Sequence, residues 1–209
     1  MRRRSSAMIA AGILLITTAA FLTGYNVAED RYAGASSGEA VSLITRIADD
    51  RKAVWEGADL EVIPDYLLNP GMEMPTVTKD GIDYVGVLEI PSQDLRLGIA
   101  SKLSLSSLKE APCRYAGSIY NNTCIVAGHN YRSHFGKLHS LQVGDAVTFT
   151  DVDGTVFPYE VSAIETVEGT DVEGMEAGEW DLTLFTCKLT RTQRLAIRCA
   201  RTDQGGARS

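Results

Sequence analysis

The sequence is poor in the residues that most often carry chemistry. It has only three histidines, at positions 129, 134 and 139, and four cysteines among 209 residues. No CxxC or HxxxH pair with supporting ligands occurs, and the last two histidines are five residues apart, which does not place two ligands on one helical face. A glycine-rich phosphate loop is also missing. The sequence therefore predicts no metal site and no bound cofactor.

Acidic residues are absent before Glu29. Three arginines open the chain and are followed by an apolar run over residues 7–25, which meets the length of about 20 residues that a membrane span needs. The arginines should stay in the cytoplasm, so the rest of the chain should lie outside. A cleaved signal peptide is the alternative, but the run is long for a signal core and no clear small-x-small cleavage site follows it. Residues 1–25 are therefore predicted to form a single-pass signal anchor.

The charge of the outer portion is strongly negative. Without the three N-terminal arginines, 17 of the 20 basic residues remain against 27 acidic ones, a formal charge of about −10. This balance argues against binding of nucleic acid, or of anionic surfaces, through bulk charge.

The segment between the anchor and the predicted core, residues 26–80, has three parts. Residues 25–38 are rich in Ala, Gly and Ser and are predicted to form a flexible spacer. Residues 39–55 carry apolar side chains near helical spacing, which predicts a helix that either packs on the following domain or acts as a stalk. Residues 60–81 contain three prolines and are typical of a loop-like approach to the core.

The remaining residues, 81–203, are enough for one domain of ordinary size, with a flexible tail at 204–209. Strand signals dominate, and Asp153-Gly154 predicts a hairpin. Two short helices are expected, over residues 103–111 and 133–141. Many short strands with few helices favour an all-β barrel or sandwich. The eight candidate strands are YVGVLEIP, LRLGIA, the segment around 113–118, CIVAGH, DAVTFTD, VFPYEVSAIETV, LTLFTC and RLAIRCA.

The central stretch is residues 182–198, LTLFTCKLTRTQRLAIR. It predicts two antiparallel strands whose side chains alternate between two faces. If residues 188–193 form the loop, Cys187 lies directly across from Arg194, with Cβ atoms about 5 Å apart. Arg198 would be about 13 Å away at strand rise, and Arg191 would lie in the loop. Arg194 is therefore the arginine best placed to interact with Cys187.

A nucleophilic thiol also needs a proton partner, usually histidine. His129 directly follows the apolar strand CIVAG, so it lies at the mouth of a buried strand. His134 and His139 fall on a predicted short helix and are expected at the surface. The candidate constellation is therefore Cys187, His129 and Arg194.

These motifs resemble those of the sortases, the cysteine transpeptidases of Gram-positive cell surfaces. The resemblance rests on TLFTC followed by QRLAIR, with AGHNYRSHFGKL some sixty residues earlier, and it extends over about residues 84–201. It implies an eight-stranded sortase β-barrel with a few short helices. The family's nucleophile corresponds to Cys187, its histidine to His129 and its arginine to Arg194.

The resemblance also implies a function. Such an enzyme cleaves surface or pilin proteins at a C-terminal LPxTG-like signal through a thioester and transfers them to an amine of a cell-wall precursor or a pilin. The subclass is left open. The His-Asn and Phe-Gly pairs resemble class B members, whereas the short glycine- and glutamate-rich connection at 168–179 is closer to pilin-polymerising or class D members. Some pilus-building sortases cover the cysteine with a lid, but residues 69–72 lack its aromatic anchor, so an ordered approach segment is favoured.

The other three cysteines lie at positions 113, 124 and 199. Cys113 and Cys124 flank a predicted turn and could pair, but buried free cysteines are common and are favoured here. Cys199 falls on the apolar face of its strand and is expected in the core.

Two other enzyme classes fit poorly, since the Ser-His-Gly-Cys setting of L,D-transpeptidases is absent and papain-like peptidases place the cysteine before the histidine. A non-catalytic, membrane-tethered binding domain with the same barrel stays as the alternative to an enzyme.

Overall fold

The computed structural model of the chain describes residues 2–57, 63–168, 180–187 and 193–203. Within these residues the helices are α1 (Arg2–Gly57), α2 (Asp65–Leu68) and α3 (Ser107–Glu110), with 3₁₀ helices at Pro91–Gln93 and Phe135–Ser140. Most of the predicted loop 188–193, most of the connection 168–179, the start of the approach segment at 60–62 and the tail 204–209 lie outside the described residues. The strands are β1 (Val77–Lys79), β2 (Ile82–Ile90), β3 (Leu95–Ala100), β4 (Cys113–Ala116), β5 (Cys124–Gly128), β6 (Ala146–Asp151), β7 (Val156–Glu168), β8 (Leu182–Cys187) and β9 (Gln193–Arg201).

Eight of these strands close into a barrel. Their order is β2-β3-β4-β5-β8-β9-β7-β6, and β6 pairs back onto β2, so no edge of the barrel is left open. The eight predicted strands are all confirmed, as β2 to β9. The short strand β1 was not predicted; it extends one edge of β2 in register Val77↔Tyr84.

Alternation of side chains fills the barrel. On β8 and β9 the inward positions are Leu182, Leu184, Leu195, Ile197 and Cys199, all at most 7% exposed and part of one apolar cluster. This is the face expected from the sequence, and it confirms Cys199 as a core residue. Cys113, Cys124 and Cys199 are all buried and free, so the structure has no Cys113–Cys124 disulfide.

The approach segment is ordered over its described part and lies at the barrel end where β5 and β8 begin. The ring of Tyr66 stacks on that of Tyr120 at 4.9 Å, and Tyr120 donates a hydrogen bond to Asp151 at 3.0 Å. Met72 packs against the core, and Met74 is buried within it. Cys187 ends β8 at the opposite end of the barrel, so this part of the segment does not cover it.

The prediction of a flexible spacer over residues 25–38 is wrong, because α1 continues through it without a break. Small residues of this segment, Ala33 and Ser37, are buried against the domain, and the built Cβ of Gly34 would lie 3.1 Å from Ser133. The same composition that favours a spacer thus allows a helix to approach closely, since alanine is also the strongest helix former.

Residues 39–55 do form a helix, as predicted, and it packs on the barrel rather than standing free as a stalk. Val41 and Ile44 are buried in a second apolar cluster with Tyr84 and Val87 of β2. Further along α1, Arg51 donates to the carbonyl of Val152 at 3.2 Å and pairs with Asp153.

The first part of α1 is the one helix among the described residues that is long and apolar enough to cross a membrane. None of its most apolar window is buried, and Leu14, Leu15 and Phe21 are each at least 67% exposed. A helix that is apolar and uncovered in this way matches the predicted membrane span.

Candidate active site

Three strand ends bring the predicted site residues to one end of the barrel. β5 and β8 run parallel, in register from Cys124↔Leu182 to Gly128↔Thr186. The next position along β5 is His129 and the next along β8 is Cys187. β9 runs antiparallel to β8 with Cys187 directly opposite Arg194, which is the register expected from the sequence.

Gly128 marks the point where the chain leaves β5 for the histidine loop. A Cβ built on Gly128 would lie 2.4 Å from the ring of Phe135, so only glycine allows this ring to pack there. Phe135 is fully buried, and its backbone N–H donates to the carbonyl of His129 at 3.1 Å. The turn after β5 is thereby folded back onto the barrel, which fixes the backbone at His129.

His129 is half-buried and borders charged and aromatic neighbours. Its ring lies 4.8 Å from the ring of Tyr131. Burial is the largest cause and lowers the pKa of His129. The carboxylate of Glu29 raises this pKa, and the ammonium of Lys109 lowers it further. The pKa is therefore below the ordinary value, so the imidazole is largely neutral near pH 7.

Helix α1 holds the loop that follows His129. The backbone N–H of Ser133 donates to a carboxylate oxygen of Asp30 at 2.9 Å, and its hydroxyl donates to the same oxygen at 2.8 Å. Burial raises the pKa of Asp30, but these bonds outweigh it and hold the pKa below its usual value. The hydroxyl of Tyr131 also lies 3.4 Å from a carboxylate oxygen of Glu29. The histidine loop is thus tied to a helix about one hundred residues away in sequence.

His134 is buried, so its prediction as a surface residue is wrong. It is fully enclosed, its ring lies 5.7 Å from that of Tyr131, and burial lowers its pKa to about 4. The backbones of Ala33 in α1 and Glu110 in α3 lie beside its ring, so both helices contribute to the cover. The composition of residues 25–38 does not indicate a helix that would cover this position. His139 is exposed, as predicted, and its Nδ1 donates a hydrogen bond to the carbonyl of Gly136 at 2.7 Å.

The two arginines of β9 lie in different surroundings. Arg194 is partly exposed at the strand end beside Cys187. Arg198, four residues further, is 2% exposed; it donates to Glu165 at 3.0 Å and to the hydroxyl of Thr183 at 3.1 Å. Arg198 is therefore held in a buried polar contact of its own, and the register leaves Arg194 as the arginine opposite Cys187.

The outer face of the barrel next to this end is apolar. Ile125, Ala127 and Phe185 form a small cluster there, and the ring of Tyr115 meets that of Phe185 edge-on at 5.5 Å. No group of three His, Cys, Asp or Glu side chains within the described parts of the chain is placed to hold a metal ion.

Sequence reasoning missed the residues that surround His129 from outside the core. Tyr131 is only two residues away and could have been noted as an aromatic neighbour. Glu29 and Asp30 carry no local signal, because their role depends on a helix that the composition did not predict.

Comparison with known proteins identifies the family. The sortase domain family profile matches residues 88–202, more than half of the chain. No curated protein sequence is similar enough to this chain to count as a match.

Several solved sortase structures share the fold. The Sortase D5 transpeptidase of Clostridium perfringens is 18% identical, with a TM-score of 0.55, over 80% of this chain and 99% of that one. Sortase C of Streptococcus pneumoniae is 23% identical, with a TM-score of 0.55, over 78% and 88% of the two chains. Sortase A of Corynebacterium diphtheriae is 18% identical, with a TM-score of 0.54, over 89% and 97%. These neighbours belong to three different classes and do not assign a subclass. With the profile match and the closed barrel, they show that this chain belongs to the sortase family and is a sortase transpeptidase.

Proposed function

We propose that this sortase cleaves a C-terminal LPxTG-like sorting signal with Cys187 as nucleophile, His129 as general acid and base, and Arg194 as the group that stabilises the oxyanion. The observation that carries the proposal is the strand register. Cys187 lies opposite Arg194 on β9, and it follows Thr186 just as His129 follows Gly128, the partner of Thr186 on β5.

The reaction has two steps. The thiolate of Cys187 attacks the carbonyl carbon of the signal's threonine, and the oxyanion of the tetrahedral intermediate accepts a hydrogen bond from Arg194. His129 protonates the leaving amine, so that the peptide bond breaks and a thioester forms. An acceptor amine then attacks the thioester and loses its proton to His129, and the thiolate leaves.

Two neighbours support the choice of substrate. One solved structure is Clostridium perfringens sortase C with the C-terminal cell wall sorting motif; it is 22% identical, with a TM-score of 0.52. The Streptococcus pneumoniae sortase C is described in terms of pilin substrate specificity. We infer a surface or pilin protein as the donor and an amine of a cell-wall precursor or a pilin as the acceptor.

We also propose that the first part of α1 crosses the membrane and that the barrel lies outside the cell. The exposed apolar side chains of α1 and the N-terminal arginines support this topology.

The test is intact-mass analysis of the full chain in detergent, incubated with a panel of LPxTG-like peptides. We expect a hydroxylamine-labile adduct of the peptide, truncated after threonine, on Cys187. Cys187→Ala should remove the adduct entirely, while Cys199→Ala, whose thiol is buried, should keep it. A folded protein that forms no adduct with any peptide, or a Cys187→Ala variant that still forms one, would contradict the proposal.

A further inference from the structure

The position of α1 relates the barrel to the predicted membrane span. α1 runs from the apolar segment into the barrel contacts with no break. Glu29, which borders the histidine loop, lies only about 6 Å along the helix axis beyond Tyr25, where the apolar run ends. The barrel is therefore held at a set distance from the membrane rather than on a loose tether.

A loop of the barrel lies at the level of the span's end. Residues 102–106 lead into α3, and a cavity of about 620 Å³ separates this region from α1. Tyr25, Tyr32 and Leu105 all line this cavity, with Tyr131 of the histidine loop. The loop thus faces the last turn of the apolar segment and the first turns beyond it.

The side chains at this level have the composition of an interfacial surface. Leu105 is 87% exposed, Leu103 is 43% exposed and Tyr32 is 62% exposed. A single exposed leucine needs no explanation, but two leucines beside two tyrosines at the end of a span form an apolar patch at the depth where tyrosine is enriched.

The charges around the patch favour lipid headgroups. Lys102, Lys109 and Arg132 are exposed there and can extend toward anionic lipid. The carboxylates of the region keep their charge, although Glu29 accepts a hydrogen bond from Tyr25 at 2.8 Å and Glu110 accepts one from Ser36 at 3.3 Å. The three cations balance Glu29, Asp30 and Glu110, so the strong negative charge of the outer portion is not concentrated at this patch.

We propose that the loop at 102–106, with Tyr32, contacts the headgroup layer of the membrane, so that the His129 end of the barrel faces the lipid surface. The proposal rests on the membrane anchoring proposed above. The partner is a bilayer that contains anionic lipid, and the cavity between α1 and α3 opens toward it.

The experiment places a fluorophore on the full chain in vesicles of phosphatidylcholine and phosphatidylglycerol. Leu105→Cys and Val156→Cys, each in a Cys187→Ala background, are labelled with an environment-sensitive dye. Val156 is the matched control, because it is 54% exposed and follows the β6–β7 turn, where Asp153 pairs with Arg51 near the other end of α1. The remaining thiols are buried, and burial raises the pKa of Cys113 to about 11 and that of Cys199 to about 12, so they should not react in the folded protein.

Quenching by lipids that carry a spin label at the headgroup then reports contact. We expect quenching at position 105 about fivefold stronger than at position 156, with emission shifted to shorter wavelength only at 105. Lys102→Gln combined with Lys109→Gln should reduce the difference in quenching between the two positions when anionic lipid is present.

Flotation of the vesicles separates the outcomes. If the protein floats with the vesicles but both positions are quenched equally, contact of the 102–106 loop with lipid is refuted, while membrane anchoring through α1 is supported. If it does not float, anchor and contact both fail, while acylation of Cys187 is tested independently by mass.

Discussion

The two halves of the candidate site are held in place by different means. Cys187 and Arg194 face each other through strand pairing, seven residues apart in sequence. His129 lies on a loop that is fixed by Phe135 on one side and by Asp30 of α1 on the other, through contacts that span 103 residues. The first half needs only a hairpin, whereas the second needs a distant helix that packs onto the barrel.

The largest expected effect tests the hairpin half through its two arginines. Arg194→Ala should lower kcat/KM for acylation by about 10² to 10³, because an oxyanion donor is lost, and should leave thermal stability unchanged. Arg198→Ala should keep most activity but lower the free energy of unfolding by roughly 2 kcal/mol, since it leaves Thr183 and Glu165 without their partner. Peptide kinetics and urea unfolding measure the two effects.

Arg198→Lys and Arg194→Lys serve as matched controls that retain the charge. A severe kinetic loss in Arg198→Ala with a mild one in Arg194→Ala would mean that the wrong arginine has been assigned to Cys187.

The next effect tests the helix half through His134. Its pKa of about 4 in the folded protein lies below the ordinary value of 6.5, so the folded state favours the neutral form of the His134 ring. The stabilisation is complete above pH 6.5 and is lost as the pH falls toward 4, by about 3 kcal/mol at most. We expect His134→Leu to have a flatter dependence of unfolding free energy on pH than the parent between pH 7 and 4.5.

Other carboxylates titrate in the same range, so the informative quantity is the difference between the two curves. His139→Leu, at an exposed position, is the control and should leave the curve unchanged. Parallel curves for His134→Leu and the parent would mean that α1 does not hold this ring away from water.

The smallest effect tests how α1 acts on His129 itself. Glu29 raises the pKa of His129 and Lys109 lowers it, although burial is the largest cause of its shift. If protonated His129 is the acid of the first step, activity is lost as the pH rises through its pKa. Glu29→Gln should therefore move this limb of the kcat profile to lower pH, and Lys109→Gln should move it to higher pH. Shifts of the same sign in both variants would contradict an electrostatic effect.

The contrast between the halves also explains what the sequence could and could not predict. The alternation in LTLFTC and RLAIR is local, so the strands, their inward faces and the Cys187–Arg194 pair follow from it. The position of His129 after an apolar strand is equally local. The burial of His134 and the contacts of Asp30 depend instead on α1, whose Ala-, Gly- and Ser-rich part is equally compatible with a spacer when read alone. Only packing against the domain decides between the two.

The parallel pairing of β5 with β8 has a consequence for how the molecule folds. The two strands are about sixty residues apart in sequence, and the β6–β7 hairpin lies between them. Closing so long a segment costs chain entropy before the pairing is gained, so this ladder should form late, after the local hairpins. The candidate site should then be among the last parts of the molecule to assemble. A chain that stops short of β9 should accordingly have no acyl-transfer activity, even if its first strands are already formed.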